Sequence, residues 1–145
     1  MLYPTQTLEH IKAHIASLPE TKSNEINMLH QQLSNTLKNK HLWFDDGLDE
    51  QGKIITNPII GYGMHLHQTA KGKTKELFQV GLSANSTGIS IYIIGLKDKT
   101  LLNQFIGDQL GKAKVTGYCI KFKSIQDINL NVLIEAILFA VGSVQ

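Results

Sequence analysis

The chain has 145 residues, of which 42% are hydrophobic and 18% charged, with a formal net charge of +2. That length suits one domain with a core of its own, and the composition is too apolar for a disordered chain. The charge is too small to point to a nucleic-acid binder, the single cysteine, Cys119, excludes an internal disulfide, and no run approaches the ~18 apolar residues of a membrane span.

The opening "MLYPTQTLEHIKAH" lacks the basic and apolar regions of a secretory signal, and a lone cysteine fits a reducing compartment, so the expected location is cytoplasmic. Leu8, Ile11, Ile15 and Leu18 fall at helical steps, with Thr5 or Thr7 available as a cap and Pro19 as the stop. Ile26, Leu29, Leu33 and Leu37 repeat the pattern in a second helix. "HLWFDDGLDEQGKIITNP" follows, rich in turn chemistry. Its acidic residues Asp45, Asp46, Asp49 and Glu50 lack the spacing of an EF-hand loop and read as solvated.

From Ile59 the period changes to two. Ile60, Tyr62, Met64 and Leu66 alternate with Gly61, Gly63, His65 and His67. Phe78, Val80 and Leu82, then Ile89, Ile91 and Ile93, do the same after short polar turns. "LKDKTLLNQFIGDQLG" predicts a short helix with Asp98 as cap. "VTGYCIKFK" predicts a strand with Tyr118, Ile120 and Phe122 on one face and Cys119 and Lys121 on the other. "DINLNVLIEAILFAVG" predicts a final helix capped by Asp127 or Asn129.

This order predicts an α+β fold: an antiparallel sheet of about four strands with helices packed on one face. The single domain, 1–145, comprises a helical hairpin over 5–40, a three-stranded meander over 58–95 and a helix–strand–helix unit over 98–142.

If Tyr62, Met64 and Leu66 turn toward the helices, His65 and His67 share the opposite face, about 7 Å apart along the backbone. They could chelate a metal, but zinc needs at least one further protein ligand, and Cys119 is the one soft ligand expected on that face. The other reading is an open polar sheet face. Gly61 and Gly63 point to a bulge or to close approach by a ligand. The lysines of "KGKTK", "KDK" and "GKAK", the last holding Lys112 and Lys114, admit anion binding or solvated turns, and none has a phosphate-loop pattern.

Several strings taken in order carry a family resemblance. They are Gly61-Tyr62-Gly63, Val80-Gly81-Leu82-Ser83, Ile91-Tyr92-Ile93-Ile94-Gly95, Leu110-Gly111-Lys112, Cys119-Ile120-Lys121, the Asp127 to Leu133 approach to the last helix, and the N-terminal "IASLPE". Together they resemble the bacterial DUF1801 (YdhG-like) family over about residues 8–138. The resemblance implies a two-layer α+β fold likened to frataxin, and an iron-chaperone role has been suggested for part of the family. Two positions where many members carry histidine are Leu66 and Ala113 here. The first helix holds few acids, Glu9 and then Glu20 beyond Pro19, unlike the acidic ridge of a frataxin.

The functional expectation is a small non-enzymatic binding or interaction domain whose ligand, a small molecule or a protein, meets the outward sheet face. Tyr62, His65, His67, Ser83, Tyr92, Lys112 and Cys119 are the candidate contacts. The alternative is iron or zinc binding through His65 and His67, with Cys119 or the acidic loop 45–50 as the source of a further ligand. No cofactor and no membrane partner is implied. Self-association through an open face or edge strand is a further option.

Overall fold

The computed structural model describes residues 4–144. The helical periodicities form α1 (Pro4–Ser17) and α2 (Glu20–Thr36). α1 starts at Pro4, so neither Thr5 nor Thr7 stands at a cap position; proline's missing N–H is no loss in a first turn. Pro19 separates the helices and is the cap residue of α2, with extended ψ 147. Ile11, Ile15, Ile26, Leu29, Leu33 and Leu37 are buried as their spacing requires, whereas Leu8 lies outside the core and is exposed.

The strands are β1 (Leu42–Asp45), β2 (Ile59–Tyr62), β3 (His65–Gln68), β4 (Thr74–Leu77), β5 (Val80–Asn85), β6 (Gly88–Ile93), β7 (Lys114–Val115) and β8 (Cys119–Phe122). α3 (Leu101–Ile106) lies between β6 and β7, and α4 (Leu130–Ser143) follows β8. Six strands form one antiparallel sheet in the order β1-β2-β5-β6-β8-β7, and β3 and β4 form a separate two-stranded sheet. The main sheet thus exceeds the expected four strands by its two edges. β1 lies inside the segment read as turns, and β7 is two residues long; strands this short carry too few alternations to register as a period.

Register sorts the side chains into rows. Phe44, Ile60, Leu82, Ile91 and Ile120 are successive cross-strand partners on one face, flanked by Tyr62, Val80 and Ile93 on one side and by Ala84, Ile89 and Phe122 on the other. All but Phe44 belong to the buried core, and α2 and α4 contact β5 and β6. On the other face one row runs Trp43, Gly61, Gly81, Tyr92 and Cys119, and the next runs Ser83, Ser90, Lys121 and Lys114.

The expected alternation from Ile60 to His67 holds only as far as Tyr62. Gly63 takes φ +77, a left-handed conformation open to glycine at little steric penalty. Its N–H donates to His41 O at 2.8 Å, and its carbonyl accepts from Trp43 Nε1 at 2.6 Å. The chain leaves the sheet there, and alternation cannot carry through a residue that is not extended. Ile60 and Tyr62 are each 1% exposed, but Met64 is only half-buried and Leu66 is 61% exposed, contrary to the inward placement expected for both. Tyr118 also departs from its expected row: it precedes β8 and is exposed, while Ile120 and Phe122 are buried.

The final helix is capped as its sequence suggests, Asn129 Oδ1 accepting from Val132 N–H. At α3 the cap position is Thr100. Asp98 instead accepts from both the N–H and the hydroxyl of Thr100, and these bonds to its charged form hold the Asp98 carboxyl below its ordinary range.

Candidate functional site

The candidate contacts read from the sequence are dispersed. The Tyr62 hydroxyl lies 2.7 Å from His30 Nδ1, beneath α2 and not on the outer face. Desolvation pushes the Tyr62 phenol up and His30 down, each favouring its neutral form. Ser83 is buried, and its hydroxyl donates to Pro58 O at 2.9 Å. Tyr92 is half-buried and stacks on Tyr118 at a ring separation of 6.4 Å. Its strand partner Cys119 is 3% exposed, with burial pushing the thiol up against the opposing pull of Lys121.

His65 and His67 sit in β3, off the main sheet, with ring centroids 6.5 Å apart. His65 packs over Gly95, where an added Cβ would come within 2.6 Å of its ring. Cys119 belongs to β8 of the main sheet. Among the described residues no group of three or more His, Cys, Asp or Glu side chains is placed to hold a metal ion.

The glycine floor is filled by the chain itself. A Cβ on Gly61 would lie 2.6 Å from Phe78 Cβ and 2.9 Å from Trp43 Cβ, and one on Gly81 would lie 2.7 Å from the Phe78 ring. Phe78, between β4 and β5, therefore covers both glycines, and the close approach marked by Gly61 is intramolecular.

The other row of the outer face leads to a cleft. Ser90 of β6, Lys121 of β8 and Lys114 of β7 stand side by side across three strands. Lys112 precedes β7 and Lys123 follows β8, each in a bend. All four lysines are exposed and line one open cleft of about 570 Å³, closed at one end by the β5–β6 turn. That turn is ordered by Asn85 Oδ1, which accepts from the N–H and the hydroxyl of Thr87. Gly88 fits under β8 because a Cβ there would lie 2.3 Å from Phe122 O. The opposite wall is fixed by Lys112 N–H donating to Asp127 O at 3.0 Å. Asp127 is the one acidic residue in the lining. No ion pair joins any of the four lysines to a carboxylate among the described residues.

The chain matches no family model, no curated protein and no solved structure.

Like charges placed directly opposite in an antiparallel pair are destabilising. Lys114 and Lys121 are such a pair, with Lys112 and Lys123 in the bends just beyond the two strands. The arrangement can accept negative charge from several sides at once. Of the residues read from the sequence, Lys112 lines this cleft, Ser83 continues its polar row one strand away, and the others lie elsewhere. The sequence does not group Lys121 and Lys123 with Lys112 and Lys114, because six residues intervene between Lys114 and Lys121. The available signal was "KFK" in a strand, which puts two lysines on one face around an inward Phe122.

Proposed function

We propose that this is a non-enzymatic binding domain whose ligand is anionic and occupies the cleft of Lys112, Lys114, Lys121 and Lys123. The cross-strand pair Lys114–Lys121, without a carboxylate partner among the described residues, carries this reading. A fold retains such a repulsive pair at a cleft at the expense of stability, and an anion relieves the repulsion. The helices form one layer over the Ile60–Leu82–Ile91 face, leaving the opposite face to Phe78, the aromatic residues and the lysine cleft. Lys112 and Lys121 of the cleft belong to two of the segments on which the resemblance to the DUF1801 family rests.

Thermal unfolding in a panel of multivalent anions (sulfate, pyrophosphate, heparin) tests this, with sodium chloride at matched ionic strength as control. A ligand present at 100 times its Kd stabilises by ~2.7 kcal/mol, and for a chain of this length that corresponds to roughly 5–10 °C. At least one anion is expected to exceed the chloride control, and to lose that excess in the Lys114→Gln/Lys121→Gln variant. Equal shifts for every salt, or an excess that survives in the double variant, would remove the cleft as the site.

A further inference from the structure

The cleft has features that select among anions. Ser90, on the floor beside Lys121, is 1% exposed. Its oxygen accepts from Asn85 Nδ2 at 3.4 Å, and its own O–H donates to no described residue. A buried hydroxyl that accepts from Asn85 and stands in line with Lys121 and Lys114 across the sheet can still donate its proton to a ligand oxygen. Among the described residues the lining offers no ring for a base to stack on. Its one aromatic residue, Phe122, is 5% exposed and belongs to the core. Tyr92 and Tyr118 stack on each other and line no part of the cleft. Single-stranded nucleic acids draw much of their affinity from base stacking on exposed aromatic rings. The volume, about 570 Å³, falls in the range of small-molecule sites and leaves room for more than one tetrahedral group.

Building on the anion-binding function proposed above, we infer that the ligand is a small, multiply phosphorylated molecule without an aromatic base: an inorganic oligophosphate or a polyol carrying several phosphates. Lys114 and Lys121 hold one phosphate. The Ser90 hydroxyl donates to an oxygen of the same group. Lys112 and Lys123 hold the next phosphate. Asp127 opposes the charge of the ligand and favours a compact, fully loaded anion lodged on the lysine side. Ser90 gives shape selectivity that lysines alone lack, because a hydroxyl on a strand is fixed while an ammonium swings.

Calorimetric titration at constant ionic strength with orthophosphate, tripolyphosphate and a ten-residue oligothymidylate tests the inference. Tripolyphosphate is expected to bind at least tenfold tighter than either of the others. Ser90→Ala is expected to weaken tripolyphosphate about tenfold, the worth of one hydrogen bond to a charged group, with the salt dependence of binding unchanged. Asp127→Asn is expected to tighten binding several-fold, which a purely structural role for that carboxylate would not do. Tighter binding of the oligonucleotide, or full affinity in Ser90→Ala, overturns the small-phosphate inference and leaves the anion cleft standing. No heat and no competition with any of the three overturns both.

Discussion

Removing one charge from the lysine cleft should make the protein more stable, not less. In Lys114→Gln the side-chain stem is nearly preserved and the charge is lost. Lys114 faces Lys121 directly across the β7–β8 pair, where Cβ atoms stand about 5 Å apart. Charges about 5 Å apart in water repel by about 0.8 kcal/mol for the direct pair. Splaying of the long side chains roughly halves this, leaving about 0.4 kcal/mol at low salt. For a chain of this length that is a rise in Tm of roughly 1–2 °C. Since the Debye length falls from about 30 Å at 0.01 M to about 3 Å at 1 M, the gain should vanish in concentrated sodium chloride. Thermal unfolding by circular dichroism at 10 mM and 1 M salt measures it, with Lys53→Gln in the exposed 46–58 loop as the control. A loss of stability in Lys114→Gln at low salt, or a gain that persists at high salt, refutes the electrostatic account of the cleft.

Other expectations follow from the packing. Gly61→Ala forces a Cβ to within 2.6 Å of Phe78 and should destabilise by about 1–3 kcal/mol; an unchanged midpoint in urea would contradict the Phe78 cover. Tyr62→Phe removes the hydroxyl bonded to His30 and should lower stability by about 1 kcal/mol, measured by the same unfolding. Burial depresses His30 and His14 below their ordinary value of 6.5, so the unfolded chain takes up their protons first. Stability should be fully present above pH 6.5 and decline as pH falls below it, and it should flatten in a His30→Gln/His14→Gln variant. Cys119, 3% exposed and with its thiol pushed up, should react with a thiol reagent only at the rate of structural opening; prompt modification in the native state would show that β8 is not packed as described. Zinc titration followed through the histidine resonances checks His65 and His67. Two ligands without a third should give no saturable shift at micromolar metal.

The sequence carried the architecture wherever a period ran long enough. The stripe of α2 and the alternations of β5, β6 and β8 are buried as their spacing requires, whereas in α4 the buried residues are Leu133, Ala136, Ile137 and Ala140, and Leu130, Ile134 and Val141 are only half-buried. It misled where one residue changed the backbone. Gly63 was legible as glycine but not as a left-handed one, and everything read through it moved: Leu66 went outside, and the histidine pair went to a hairpin of its own. The pairing of strands was also out of reach. Ser90 and Lys121 could be placed on the outward face, yet only the register of β6, β8 and β7 sets Ser90, Lys121 and Lys114 in one line. Phe78 alternates in phase with Val80 and so promised an inward ring, but it precedes β5 and covers Gly61 and Gly81 instead.

The most direct test of the anion cleft is the amide spectrum of the isotopically labelled chain titrated with sodium pyrophosphate at fixed pH and ionic strength. Saturable shifts should gather at Ser90, Lys112, Lys114, Lys121 and Lys123, with the β3–β4 hairpin and α1 unmoved. Shifts scattered over all lysine-bearing turns in proportion to concentration, with no saturation, would contradict it.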